Sequence, residues 1–208
     1  MPSPVRAVPR AVLWDADGVL QQVPASWFDL LGEAVGTDEA LALLDLLLPQ
    51  MESAISGAQG MTVLLPKFLE ERGLSARLEE ISDVWGTIDP LEGAREVVRS
   101  LRANGVGCHL ATNQDDLRTS YMRSRMGYDE LLDGCFYSCE VGAAKPDERF
   151  FRHVADELGM DLTELAFVDD TMENVEAARA LGVHAILWHD RDGVDVLREA
   201  LAVEGLPL

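Results

Sequence analysis

The chain has 208 residues, 48% of them apolar and 26% charged, and a net charge of −20 from 17 basic and 37 acidic residues. That length suits one domain, or a domain with an insertion, and is enough for a sizeable core. So acidic a surface repels nucleic acid and anionic lipid, which excludes both as default partners, and any phosphate site must be made attractive locally by a metal, a lysine or backbone amides.

The first ten residues hold three prolines and two arginines but no apolar stretch. They are expected to form a loose tail and not a signal peptide. Ala11-Val12-Leu13-Trp14 then runs straight into Asp15-Ala16-Asp17-Gly18. A short, continuously apolar run reads as a strand buried on both faces of a parallel sheet, whose carboxyl end faces a ligand crevice. Asp15 and Asp17, two residues apart in extended chain, point the same way. Two such charges resist ionising together unless a cation sits between them or one holds a proton. The same stretch by itself also fits a polar turn after a strand.

From about Gln21 to Asp89 the pattern is helical, with apolar residues grouped around Trp27, Leu43 and Leu64 and with Gly36, Pro49, Gly57, Gly60 and Gly73 as punctuation. Residues 21–89 are therefore expected to be an inserted helical cap. Trp27, Phe28 and Trp85 should pack between its helices. Its most apolar segment, Ala40 to Leu48, is interrupted by Asp45 and too short to span a bilayer.

From Pro90 onward helices and strands alternate. Helical stripes carry Val97 and Leu101, then Phe150 and Val154, then Val175 and Ala178, with a last helix over Val194 to Val203. Strands are expected at Val106 to Ala111, Cys135 to Ser138, Leu165 to Val168 and His184 to Leu187. Alternation of this kind defines an α/β fold: a Rossmann-like parallel sheet core, residues 1–20 and 90–208, with helices on both faces.

Three of the apolar strands terminate in polar pairs: Asp15 with Asp17, Thr112-Asn113, and Asp169-Asp170, while Lys145 lies just beyond a fourth. In a parallel sheet these ends share one edge. Four carboxylates there invite a hard divalent cation with oxygen ligands, most simply Mg2+. Asp15 is then suited to attack phosphorus, and Asp17 to protonate the leaving oxygen and later to deprotonate water. Thr112 and the amide of Asn113 can grip phosphate oxygens, and Lys145 can neutralise charge.

These motifs resemble the haloacid dehalogenase-like superfamily, in the branch with a helical cap after the first strand. Asp15-Ala16-Asp17-Gly18-Val19-Leu20 matches its first motif, Ala111-Thr112-Asn113 the second, Lys145-Pro146 the third and Val168-Asp169-Asp170-Thr171 the fourth. The resemblance implies Asp15 as nucleophile and Asp17 as general acid/base. It also implies magnesium held by the Asp15 carboxylate, the Asp17 main-chain carbonyl and Asp170, with Asp169 direct or through water. Members that cleave carbon–halogen bonds lack the second aspartate, so Asp17 favours phosphoryl transfer. Gln21-Gln22 departs from the family pattern at the cap boundary.

The expectation is thus a cytoplasmic, magnesium-dependent phosphohydrolase of a small phosphorylated metabolite, with oligomeric state open. A phosphomutase of the same superfamily is the alternative, although Lys67, Arg72 and Arg77 are the only basic residues between Gln21 and Asp89. A non-catalytic binding protein on this fold is a further one, against which the intact Asp15, Asp17, Lys145 and Asp170 argue. Elsewhere, Cys108, Cys135 and Cys139 are expected to be reduced, His109, His153 and His184 to be structural, Asp115-Asp116 to cap a helix, and Arg118, Arg123 and Arg125 to form a solvated helix face, although Arg118 is near enough to Thr112 in sequence to merit a mutation.

Overall fold

The structure is a computed structural model, and it describes residues 8–208. Residues 1–7, most of the expected N-terminal tail, lie outside the described residues. In chain order the elements are β1 (Ala11–Trp14), β2 (Gln21–Gln22), α1 (Trp27–Val35), α2 (Thr37–Leu47), α3 (Met51–Ile55), α4 (Met61–Glu71), α5 (Leu78–Gly86) and β3 (Asp89–Pro90). There follow α6 (Glu92–Ala103), β4 (Gly107–Thr112), α7 (Asp116–Arg125), α8 (Tyr128–Leu131), β5 (Gly134–Tyr137) and α9 (Ser138–Val141). The last are α10 (Glu148–Leu158), β6 (Leu165–Asp169), α11 (Met172–Ala180), β7 (His184–Leu187) and α12 (Val194–Val203).

Five strands form one parallel sheet in the order β5-β4-β1-β6-β7. β1 is central, and alternate side chains enter opposite layers, as a period of two requires. Val12 and Trp14 join one cluster with Val97, Leu101, Leu197 and Leu201 of α6 and α12. Ala11 and Leu13 join the other with Phe150, Phe151, Val154 and Val175 of α10 and α11. Burial on both faces explains why β1 is apolar throughout.

The helices between β1 and α6 enclose a third cluster of their own, including Leu31, Leu43, Leu47, Leu64, Leu69 and Trp85. Within it Trp27 and Trp85 meet edge to face with ring centres 5.7 Å apart. The chain enters and leaves this block through adjacent strands: β2 and β3 pair antiparallel, Gln21 opposite Pro90 and Gln22 opposite Asp89. Sequence periodicity predicts only helix here; the short ribbon has no apolar alternation to reveal it. Among the described residues no helix is long and apolar enough to cross a membrane.

The three cysteines are free, with Cys108 buried. His184 is buried on β7 with Nδ1 2.5 Å from Glu204 Oε2. His109 is 8% exposed on β4, against Phe136, and its Nδ1 has no hydrogen-bond partner. Burial pushes its pKa below 6.5, the nearby Asp133 opposing only in part. The folded state therefore favours the neutral ring, while the unfolded chain takes up a proton first as pH falls through 6.5. Stability should accordingly drop below that pH. His109→Leu is expected to lose less of its urea midpoint between pH 7.5 and pH 5 than the wild type does; equal losses would show that His109 carries none of the acid sensitivity.

Candidate active site

β1 hands its geometry on to Asp15, whose amide still donates to Val168 O at 2.9 Å. The chain then turns tightly. Gly18, at φ +80°, donates to Gln21 O at 2.8 Å, and Leu20 N donates to Ala16 O at 2.8 Å. Glycine is needed at that turn for two reasons: the backbone is left-handed, and a Cβ would collide with the Asp170 carboxylate. The tight turn is thus also what lets the ends of β1 and β6 approach.

Lys145 lies in the loop between α9 and α10. Asn113 holds that loop through both main-chain groups of one residue: its Nδ2 donates to Lys145 O at 2.7 Å, and its Oδ1 accepts from Lys145 N at 2.8 Å. The lysine amine is buried and donates to Asp15 Oδ1 and Asp169 Oδ2, each at 2.7 Å. Its pKa reflects a contest. Burial disfavours the ammonium, but the carboxylates of Asp15 and Asp169 outweigh it and hold the value above the ordinary one. Asp15 is pushed up to about 7, first by burial and further by Asp169, while Lys145 pulls the other way. Burial also raises Asp170.

Carboxylate oxygens of Asp15, Asp169 and Asp170 lie within 4.8 Å of one another. This all-oxygen donor set fits a hard divalent ion, which would also relieve the burial of like charges. Within it Asp169 is the more committed. It is fully buried, with Oδ1 accepting from Thr171 N at 2.7 Å and both oxygens within 3.2 Å of Asn174 Nδ2. The Asp17 side chain is outside this set: Gln21 Nε2 donates to its Oδ1 at 3.0 Å and Gln114 Nε2 to its Oδ2 at 2.5 Å. A cavity of about 280 Å3 is lined by Asp15, Asp17, Thr112, Asn113, Lys145 and Asp170, together with Gly18, Thr171 and Asn174. All the residues expected from the sequence thus come together around one crevice, Asp169 just behind its wall.

Two expectations on α7 need correction. Asp115 does cap the helix, its Oδ1 accepting from Arg118 N at 2.9 Å, but Asp116 turns to the helical block and binds Thr62 N and Oγ1. Arg123 and Arg125 are exposed, but Arg118 is not part of a solvated face. Its side chain is only 16% exposed and its Nη1 lies 3.8 Å from Asp17 Oδ2. The reason is tertiary: α5 packs on α7, with Trp85 Nε1 donating to Asp115 Oδ2 at 3.0 Å. Gln114 and Asn174 also escape the sequence analysis. The signal for Gln114 is its position directly after Asn113; that for Asn174 is the first turn of the helix that follows the Asp169-Asp170 strand end.

A parallel sheet with helices on both faces, and a buried lysine bridging carboxylates at the carboxyl ends of its strands, defines an α/β protein with an acidic crevice of Rossmann type. A family model for haloacid dehalogenase-like hydrolases matches residues 9–182, and the chain belongs to that family. Among curated relatives, a sesquiterpene phosphatase of Aspergillus oryzae is 35% identical over 99 residues, which cover 47% of this chain and 50% of that protein. A phosphatase of Mycobacterium tuberculosis is 34% identical over 132 residues, covering 60% of each chain. The shared region is therefore under two thirds of the length of these relatives. Among solved structures, a wild-type HAD family enzyme of Bacteroides thetaiotaomicron in complex with magnesium and inorganic phosphate has the same fold, with a TM-score of 0.72 at 20% identity over 86% of this chain and 93% of that one. A predicted HAD-like family hydrolase of Porphyromonas gingivalis superimposes with a TM-score of 0.75 at 21% identity, covering 94% and 98%.

Proposed function

We propose that the chain is a magnesium-dependent phosphohydrolase that acts on a small phosphate monoester through an aspartyl-phosphate intermediate. The observation that carries this reading is the buried Lys145 amine shared between Asp15 and Asp169, in contact with a polar crevice that Asp17 and Asp170 also line. Phosphatase-named relatives, and a neighbour of the same fold holding magnesium and phosphate, support it.

In this reading Asp15 attacks phosphorus, and the bond from phosphorus to the alcohol oxygen breaks. Asp17 gives that oxygen a proton, then removes one from the water that attacks phosphorus in its turn. The bond to Asp15 breaks, and inorganic phosphate leaves. Gln21 and Gln114 hold the two oxygens of Asp17, so the acid keeps its orientation through both transfers. Lys145 keeps Asp15 aimed and offsets the charge gathered around it. Thr112 and the Asn113 amide would bind phosphate oxygens. The Asp15 and Asp170 carboxylates and the Asp17 carbonyl would hold magnesium, with Asp169 direct or through water, and the ion supplies neutralising charge when bound.

The helical block, about residues 21–89, reads as a cap. Its two connections pair as β2 and β3, a ribbon about which the block would pivot relative to the crevice. Cytoplasmic function fits the reduced cysteines. The test is phosphate release from an aryl phosphate and a panel of phosphate monoesters, with magnesium and with EDTA. Release that EDTA abolishes is expected; release that is indifferent to EDTA would remove the metal from this scheme.

A further inference from the structure

We propose that the substrates are phosphate monoesters of apolar alcohols, with the alkyl or aryl group lodged in a second cavity beside the crevice. This rests on the phosphohydrolase reading above. The second cavity measures about 290 Å3 and is lined by Val23, Trp27, Leu44, Leu48, Met51 and Trp85, with Arg118 as its single charged side chain. Its size sits near the lower bound of ligand pockets, about 300 Å3.

The cavity wall offers little to a polar ligand. Trp27 Nε1 is already donating to Val84 O at 2.7 Å, and Trp85 Nε1 to Asp115 Oδ2 at 3.0 Å. The two indoles therefore present faces and edges without a spare donor. A sugar bound there would lose its hydrogen bonds to water and regain almost none. Val23 and Leu48 are 41% and 59% exposed, so part of this apolar surface meets solvent instead of serving the core.

Arg118 joins the two cavities. Its Nη1 is 3.8 Å from Asp17 Oδ2, while its buried Nε has no hydrogen-bond partner. The oxygen that Asp17 protonates belongs to the leaving alcohol, so the leaving group must extend away from phosphorus past Asp17. On that side stands Arg118, and beyond it the apolar wall. The guanidinium, with Nη1 turned to Asp17, sets a positive charge at the boundary between the apolar wall and the ester oxygen. A wider groove of about 640 Å3, with Glu52, Ser56, Asp147 and Arg149 in its wall, adjoins the Lys145 loop. Lys145 lines it too, but Asp17 and Arg118 do not, and its Asp147 and Arg149 are paired with each other at 2.6 Å.

The experiment compares kcat/KM for methyl, butyl, hexyl and octyl phosphate, glycerol 3-phosphate and glucose 6-phosphate, all with magnesium. Efficiency is expected to rise about three- to fourfold per methylene until the cavity is filled, and Leu44→Asn to lower the octyl-to-methyl ratio by about tenfold or more. As a readout without turnover, octylphosphonate should perturb tryptophan fluorescence in the wild type and far less in Trp27→Phe/Trp85→Phe. A flat series with magnesium-dependent release overturns the apolar assignment and leaves the phosphohydrolase reading standing. A preference for glycerol or glucose phosphate does the same and moves the leaving group to the wider groove. A fluorescence response to octylphosphonate that methylphosphonate does not give, with no release from any ester, upholds the ligand class and overturns the hydrolytic reading. Silence in both assays overturns both.

Discussion

Asp15→Asn is expected to lower phosphate release by about a thousandfold or more while leaving the protein folded. The amide keeps the shape of the carboxylate but has no charged oxygen to attack phosphorus. It can still accept from the Lys145 amine, which retains Asp169 as its ionic partner at 2.7 Å. Stability should not suffer. Burial already pushes Asp15 up to about 7, so the folded metal-free protein disfavours its charge, and a neutral side chain removes that cost. The measurement is release from an aryl phosphate at saturating magnesium, beside a thermal melt. Activity within tenfold of wild type, in a variant that melts like the parent, would move the nucleophile away from Asp15.

Lys145→Met should have the largest effect on stability. The amine is 1% exposed in its side chain and neutralises two carboxylates that are themselves buried, Asp15 at 11% and Asp169 at 0%. Removing one partner of a buried ion cluster leaves charge without compensation, at a cost of about 3–5 kcal/mol. The loss should be greatest in metal-free protein near pH 8, above the value of about 7 to which Asp15 is pushed, and smaller where Asp15 takes up a proton. Adding Asp169→Asn removes one of the two stranded charges, so Lys145→Met/Asp169→Asn should regain part of the loss. Urea denaturation at pH 8 with EDTA tests this. A loss under about 1 kcal/mol for the single variant would mean that water reaches the pair and screens it.

Legibility from sequence followed burial. β1, β4 and β6 read correctly because strands covered on both faces are forced to be apolar, and their polar ends stand out against that background. The helices between β2 and β3 were legible because each buries one stripe. The β2–β3 ribbon was not, since two paired residues on each side carry no periodicity. Gln114 and Asn174 were missed, and Arg118 was assigned to a solvated face, for a related reason. Each is an ordinary polar residue near a helix start, and nothing in its immediate neighbours says whether it faces solvent or a crevice.

The sequence by itself determined the chemistry that is available: two aspartates after the first strand, a threonine and asparagine after another, a lysine, and an aspartate pair, in an order that belongs to one family. Those are local signals, because apolar runs and the residues that end them are written contiguously. Only the tertiary structure decided which groups meet. It set Lys145 between Asp15 and Asp169, gave Asp17 to Gln21 and Gln114, and turned Arg118 inward beneath Trp85 to border an apolar cavity. Such pairings depend on distances between segments up to 130 residues apart in the chain. They are fixed by how helices pack across the sheet edge, which periodicity along the chain does not encode.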